Sequence, residues 1–288
     1  MTNNNEYDFK NWEEYKVALD TGINMYYYRC GSKSGTPLIL IHGVTDGRIS
    51  WMQEAPLLAK KGYNCYIVEY RGNGKTDKPD LIATGYTADI LADDILNLMD
   101  KISLPAVHMI GHSFGSLICQ ELARKASERC LSLTLIDTTV KCSGNPVLTE
   151  VLDGNGSDFR GVYGYEDAIP EDFLNSWATV TNEDREFQMA TLEHVKSLPL
   201  VAWQNLMTGL IQFDSREYVS KIKNTILVIW GTEDNIFTME DQKLVKKYLK
   251  GCKTKYVDVE GASHNGYWDS ISMAEKYSKI IDEFIKSI

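Results

Sequence analysis

Ser113 lies at the centre of the pentad GHSFG (residues 111–115), with a glycine two positions away on either side. An apolar run over residues 106–110 precedes the pentad, and apolar residues at helical spacing follow it. A strand, a sharp turn and a helix in this order would expose the serine hydroxyl, and the glycines would let the backbone pass close to its neighbours. The pattern predicts that Ser113 is a nucleophile.

An acid and a histidine follow later in the chain, in that order. The β-branched and aromatic run at residues 225–230 predicts a buried strand, and the turn after it ends in Asp234. A second predicted strand, residues 255–259, leads into a glycine-flanked loop that contains His264. A neutral imidazole can take the serine proton, and a carboxylate on its other ring nitrogen can hold the ring and stabilise its charged form. We therefore predict that Ser113, His264 and Asp234 act together.

The acid has one alternative on the same kind of evidence. Asp137 also follows a predicted strand, residues 131–136. For the base, His264 is preferred because no other histidine lies on a comparable loop. The other histidines are His42, His108, His112 and His194.

The chain resembles the α/β-hydrolase superfamily over nearly its whole length. The stretches that carry the resemblance are residues 40–43, residues 71–74, the Ser113 pentad, the Asp234 turn and the His264 loop. The resemblance implies a mostly parallel eight-stranded sheet with helices on both faces and a helical cap insertion. Some members take the acid from the strand before Asp137, so that alternative stays open.

The resemblance also implies an oxyanion hole made of two backbone amides. Phe114 follows the nucleophile directly and is expected to supply one N–H group, while Val44 matches the family position for the other.

The order of predicted elements agrees with this fold class. Residues 14–19 and 23–30 predict an antiparallel hairpin, after which strands such as 38–41 and 65–68 alternate with helices, as in parallel sheets. The alternation stops after residue 140 and resumes near residue 221. We therefore assign residues 1–140 and 221–288 to a core domain and 141–220 to a helical cap.

Within the cap, residues 170–179, 183–195 and 200–213 predict helices, and residues 154–157 a loop. In this family the cap shapes the substrate pocket. The residues expected to contact substrate are Trp51, Trp177, Trp203 and Met207. Phe173, Phe187, Met189 and Phe213 also carry suitable side chains, but such stripes on helices more often pack in the core.

Composition limits the partners. The 288 residues are 43% hydrophobic and carry a formal net charge of −10, which argues against nucleic-acid and anionic-membrane partners. No apolar stretch approaches the roughly 20 residues of a membrane span, and the first residues lack a secretory signal pattern. Six scattered cysteines favour free thiols in the cytoplasm. We expect a small-molecule substrate, no metal or other cofactor, and a monomer or homodimer.

The function expected from these residues is hydrolysis of a small, fairly apolar carboxylic ester or lactone through an acyl-enzyme intermediate. A carbon-carbon bond hydrolase with the same triad is the enzymatic alternative, and a slow-turnover ligand receptor is the alternative from another class. Haloalkane dehalogenases and epoxide hydrolases of this fold carry Asp where Ser113 stands, which makes those activities less favoured.

Overall fold

An eight-stranded β-sheet runs through the computed structural model, which describes residues 9–80, 85–154, 159–179 and 181–288. The strands are β1 (Glu13–Ala18), β2 (Asn24–Gly31), β3 (Thr36–Ile41), β4 (Tyr63–Glu69), β5 (Val107–His112), β6 (Cys130–Ile136), β7 (Ile226–Gly231) and β8 (Thr254–Val259). Their order in the sheet is β1-β2-β4-β3-β5-β6-β7-β8. β2 is antiparallel to β1 and β4, and strands β3 to β8 pair in parallel. The predicted fold class is confirmed.

Helices cover both faces of this sheet. They are α1 (Glu54–Lys60), α2 (Ala88–Lys101), α3 (Phe114–Lys125), α4 (Pro146–Asp153), α5 (Glu171–Trp177), α6 (Arg185–Ser197), α7 (Leu200–Ile211), α8 (Met239–Tyr248) and α9 (Ile271–Ile285). Strand β3 shows why two layers form, because successive side chains of a strand point to opposite faces. Ile39 and Ile41 pack in one core cluster with side chains of α2 and α3, and Leu38 and Leu40 pack in the other with α1 and α9.

Helices α4 to α7 lie between β6 and β7 in the chain. Three of them correspond to the helices predicted in this region, whereas α4 was not predicted. Asn145 begins α4 by accepting a hydrogen bond from the Leu148 amide at 3.1 Å, and Pro146 takes the first helical position, where its missing N–H costs nothing. The predicted loop at 154–157 falls mostly outside the described residues, as does the start of the chain. The core and cap boundaries stay a prediction.

The parallel strands place their carboxyl ends at one edge of the sheet, which is where open α/β sheets bind ligands. The loop after β3, the Ser113 turn after β5, Asp137 after β6 and Asp234 after β7 all lie at this edge. The loop after β8 brings His264 to the same edge. Five segments that are far apart in sequence therefore converge there.

Two global properties concern the whole described chain. All six cysteines lie in described segments and are free thiols, as the scattered spacing predicts. None of the helices in the described segments is long and apolar enough to cross a bilayer.

Gly115 holds α3 close to the sheet, and its substitution tests that packing. A Cβ on Gly115 would lie 2.1 Å from the Ile41 carbonyl oxygen, which is backbone and cannot rotate away. We expect Gly115→Ala to lower the free energy of unfolding by about 1–3 kcal/mol, measured by urea denaturation. Gly251→Ala is the matched control, because a Cβ there meets nothing within 4 Å. Equal stability of the two variants would contradict the described packing.

Candidate active site

Ser113 sits on the sharp turn between β5 and α3. Its backbone has φ 49° and ψ −120°, a conformation that L-residues rarely adopt and that is commonly found at functional sites. Its amide donates to the Ile136 carbonyl at 2.9 Å, which ties the turn to β6. A Cβ on Gly111 would lie 2.2 Å from the Gly115 carbonyl oxygen, so a glycine is required there. The turn projects the hydroxyl away from the sheet.

The ring of His264 joins Ser113 to Asp234. Its Nδ1–H donates to Asp234 Oδ2 at 2.9 Å, and its Nε2 lies 2.9 Å from Ser113 Oγ. With the proton on Nδ1, the Nε2 lone pair is free to accept the serine proton. The Ile236 and Phe237 amides donate to Asp234 Oδ1 at 2.8 and 2.9 Å, which fixes the carboxylate. The structure thus brings all three predicted side chains together.

Burial is the largest single influence on the pKa of His264 and lowers it, but the charge and hydrogen bond of Asp234, together with smaller contributions from Asp137 and Asp46, outweigh burial. The pKa of His264 is therefore raised from its ordinary value. The ring remains able to carry the charge that develops when it takes a proton.

Asp137, the alternative acid, makes a different contact. Its Oδ1 accepts from the Gly231 amide at 2.8 Å, and it makes no hydrogen bond to the His264 ring. Burial, together with the neighbouring charge of Asp234, raises its pKa well above the usual carboxyl range. The geometry favours Asp234 as the partner of His264.

The two residues expected to supply the oxyanion hole, Phe114 and Val44, lie next to Ser113 in the chain and in the cavity wall, respectively. Phe114 is the first residue of α3, where the helix dipole adds partial positive charge. Val44 lines the same cavity as Ser113. Among the residues that the structure describes, no backbone carbonyl accepts a hydrogen bond from either amide. Neither N–H group is therefore used by the backbone of the described segments.

The loop after β3, residues 42–47, is held by two side chains from the inserted helices. Trp177 Nε1–H of α5 donates to Thr45 Oγ1 at 2.8 Å. His194 of α6 donates from Nε2 to the Asp46 carbonyl at 2.8 Å, and its ring packs so closely on Gly47 that a Cβ there would clash at 2.4 Å. The position of this loop therefore depends on the docking of α5 and α6.

A cavity of about 120 Å³ lies beside the Ser113 hydroxyl. The residues that line it are Gly43, Val44, Asp46, His112, Ser113, Leu148, Trp177, Thr191, Val195, Leu210, Ile236, His264, Asn265 and Trp268. Each of the helices α4 to α7 contributes at least one of them, mostly with apolar side chains. The insertion thus forms one side of the cavity.

Of the four predicted substrate contacts, Trp177 lines the cavity and the other three do not. Trp51, Trp203 and Met207 are completely buried. The Trp51 ring packs 4.9 Å from that of Tyr267, and the Trp203 ring packs edge-on against Trp177 at 5.6 Å. These three expectations are corrected: the side chains are buried away from the cavity, and Trp203 packs against the lining residue Trp177.

The other cap candidates also lie elsewhere. Phe187 packs against Trp268 from outside the cavity, and Met189 is 62% exposed. Neither Phe173 nor Phe213 is among the lining residues.

Most of the cavity wall, including Asp46, Asn265 and Trp268, is not predicted from the sequence. Two of these residues lie next to predicted site segments and could have been found from the sequence. Asp46 is four residues after His42, and Asn265 directly follows His264. Leu148, Val195 and Leu210 gave no signal, because an apolar residue on a helix does not show which neighbour it faces.

A family model described as alpha/beta hydrolase fold matches residues 36–184, just over half of the chain. The chain therefore belongs to the alpha/beta hydrolase fold family and is a hydrolase.

Named relatives are distant. Epoxide hydrolase 2 of Caenorhabditis elegans is 22% identical over 279 residues, covering 88% of this chain and 76% of the relative. The 3-oxoadipate enol-lactonase 1 of Acinetobacter baylyi is 22% identical over 263 residues, covering 90% of this chain and 91% of the relative. A solved hydrolase structure from Pseudomonas aeruginosa superposes with a TM-score of 0.80 at 18% identity, covering 95% of this chain and 98% of that one. These likenesses support the fold without selecting a substrate.

The two candidate acids can be separated by matched substitutions. Asp234→Asn removes the carboxylate that fixes the His264 tautomer, so we expect turnover of a chromogenic ester to fall by on the order of 10³–10⁴. Asp137→Asn keeps an oxygen for the Gly231 amide and removes no contact to the ring. We expect it to change kcat/KM by less than about tenfold. The reverse ranking in steady-state assays would move the acid to Asp137.

The pH dependence of kcat/KM reports the His264 ring. Because the neutral ring accepts the Ser113 proton, activity rises with pH, and the raised pKa places the midpoint above the ordinary value of about 6.5. Asp234→Asn should move any residual midpoint to lower pH. Asp46→Asn serves as the control, because burial also raises the pKa of Asp46 to about 7. If the midpoint of kcat/KM in this variant stays above about 6.5, the titration does not come from Asp46. A wild-type midpoint below that value would contradict the assigned base.

Proposed function

We propose that this chain is a serine hydrolase that cleaves a small, fairly apolar carboxylic ester or lactone through an acyl-enzyme intermediate. The observation that carries the proposal is the pair of 2.9 Å contacts on the His264 ring, to Ser113 Oγ and to Asp234 Oδ2. The same two-sided arrangement of the imidazole defines acyl-transfer sites on several unrelated folds.

The reaction follows from these contacts. Ser113 Oγ attacks the carbonyl carbon while its proton moves to His264 Nε2, and the tetrahedral oxyanion accepts hydrogen bonds from the Val44 and Phe114 amides. The carbon-oxygen bond then breaks, and His264 returns the proton to the leaving alcohol oxygen. Water then gives a proton to the same ring and attacks the acyl carbon. The bond from that carbon to Ser113 Oγ breaks, Oγ takes the proton back from the ring, and the acid leaves. Asp234 stays ionised and steadies the charged ring.

The identity of the nucleophile separates ester hydrolysis from epoxide opening. A carboxylate that opens an epoxide forms an ester, which water can cleave at its carbonyl carbon. Ser113 would form an ether, which the same water cannot hydrolyse. The relative from Caenorhabditis elegans is named an epoxide hydrolase, but the serine in this chain favours acyl transfer.

The cavity limits the substrate to a small molecule. A cavity of ~150 Å³ with apolar walls holds one benzene molecule, and the cavity here is about 120 Å³. Leu148, Val195, Leu210 and Ile236 supply apolar wall surface. These dimensions suit a short acyl chain or a small lactone ring, and the enol-lactonase relative from Acinetobacter baylyi supports the same size class.

Removal of the Ser113 hydroxyl tests the proposal. We expect Ser113→Ala to lower kcat/KM for short p-nitrophenyl esters by three or more orders of magnitude, because the variant has no nucleophile. A fluorophosphonate probe should label the wild-type protein at Ser113 and leave the variant unlabelled, as read by peptide mass spectrometry. Ser143→Ala, which alters an exposed serine, is the control and should retain activity.

Normal turnover in Ser113→Ala would refute the nucleophile. Tight ligand binding by the wild-type protein with negligible product across ester and lactone panels would favour a receptor instead, and cleavage confined to vinylogous diketones would favour carbon-carbon hydrolysis.

A further inference from the structure

Two polar side chains in the cavity, Asp46 and His112, have no part in the acyl transfer described above. Asp46 lies on the loop after β3, and His112 is the last residue of β5, immediately before Ser113. Both line the cavity together with Ser113 and His264. A substrate bound at the triad therefore lies close to them.

His112, which lines the cavity, carries an acceptor that no described group uses. Its Nε2–H donates to the His264 carbonyl at 2.8 Å, which leaves the lone pair on Nδ1. The side chain is 1% exposed, and Nδ1 has no hydrogen-bond partner among the described residues. Burial lowers the pKa of the ring well below its usual value, so the ring stays neutral and Nδ1 stays an acceptor. Leaving a buried acceptor unpaired is costly.

Asp46 faces this acceptor without bonding to it. Its Oδ2 lies 3.9 Å from His112 Nδ1, too far for a hydrogen bond. No lysine or arginine is among the lining residues. Burial raises the pKa of Asp46 to about 7, so at neutral pH the carboxyl is present both as an acceptor and as a protonated donor.

Gly43 packs closely against both of these atoms. A Cβ at Gly43 would lie 2.5 Å from Asp46 Oδ2 and 3.0 Å from His112 Nδ1. A larger residue at position 43 would therefore clash with Asp46 and press on the His112 ring.

We propose that Asp46 and His112 form a subsite that binds a hydroxyl group of the substrate, so that this hydrolase prefers hydroxyl-bearing esters or lactones. The inference rests on the proposed ester hydrolysis, and it adds the substrate class. An oxygen atom placed about 2.8 Å from both Asp46 Oδ2 and His112 Nδ1 would make an angle of roughly 90° between its two hydrogen bonds. A hydroxyl can adopt this angle, because it donates to one partner and forms a second hydrogen bond with the other.

The charges around the subsite favour a neutral hydroxyl over an ionised group. A substrate carboxylate would lie beside Asp46 and close to the buried Asp234 carboxylate, with no lysine or arginine among the lining residues to offset the repulsion. An ammonium group would stand near the His264 ring, which must itself become positive during catalysis. A hydroxyl uses the His112 acceptor and either form of Asp46 without adding charge to a buried site.

The test compares ester pairs in which a hydroxyl replaces a methyl group. The pairs are p-nitrophenyl 3-hydroxybutanoate with 3-methylbutanoate, p-nitrophenyl 2-hydroxybutanoate with 2-methylbutanoate, and 2-hydroxyethyl butanoate with propyl butanoate. The kcat/KM ratio within each pair is divided by the ratio of alkaline hydrolysis rates, which removes intrinsic reactivity. A p-nitrophenyl 3-aminobutanoate probes the cationic alternative.

We expect the wild-type protein to favour the hydroxyl ester at least tenfold in kcat/KM in one or more pairs. A site that hydrogen-bonds a substrate hydroxyl strongly disfavours an analogue without it, because the buried polar groups of the site are then left unpaired. Asp46→Leu should abolish that preference, and Asp46→Asn, which still donates and accepts, should keep most of it. The ratio within a pair is informative even if Asp46→Leu lowers activity towards every ester.

Binding of the same pairs to Ser113→Ala, measured by titration calorimetry, gives a readout that needs no turnover. We expect the hydroxyl ester to bind at least fivefold more tightly, and Asp46→Leu in that background to remove the difference. Ratios within twofold for all pairs, in turnover and in binding, would overturn the subsite, as would a preference confined to the amino ester. Failure of the proposed function would look different: no ester would be turned over, while the binding ratios would still report on the subsite.

Discussion

The ring of His264 is the point on which the rest of the structure depends. One nitrogen donates to Asp234 and the other faces Ser113, both at 2.9 Å, so the direction of proton transfer is set before any substrate arrives. The ring belongs to the loop after β8, whereas its partners follow β7 and β5. The parallel sheet matters for function mainly because it places these three strand ends at one edge.

A second constraint links the inserted helices to the chemistry. Trp177 and His194 hold the loop that carries the Val44 amide, one of the two expected oxyanion donors. The same helices supply apolar cavity wall, so the shape of the cavity and the position of that donor depend on one docking interaction. Displacement of α5 and α6 would disturb both together.

The sheet and the triad could be predicted from the sequence because their signals are local. Buried strands are apolar runs, and the serine turn needs glycines at fixed positions, as Gly111 and Gly115 show. The cavity wall could not be predicted in this way. His194 stands among charged residues of α6, yet its ring is buried against Gly47, which is far away in sequence. Trp203 has the type of a substrate contact but packs behind Trp177.

The most direct test of the account is to trap the covalent intermediate itself. Wild-type protein is mixed with a short ester, quenched in acid before the first turnover is complete, and digested for mass spectrometry. We expect the peptide containing Ser113 to carry the mass of the acyl group and the adduct to decay on further incubation. Absence of any adduct during rapid turnover, or an acyl group on a different residue, would contradict it.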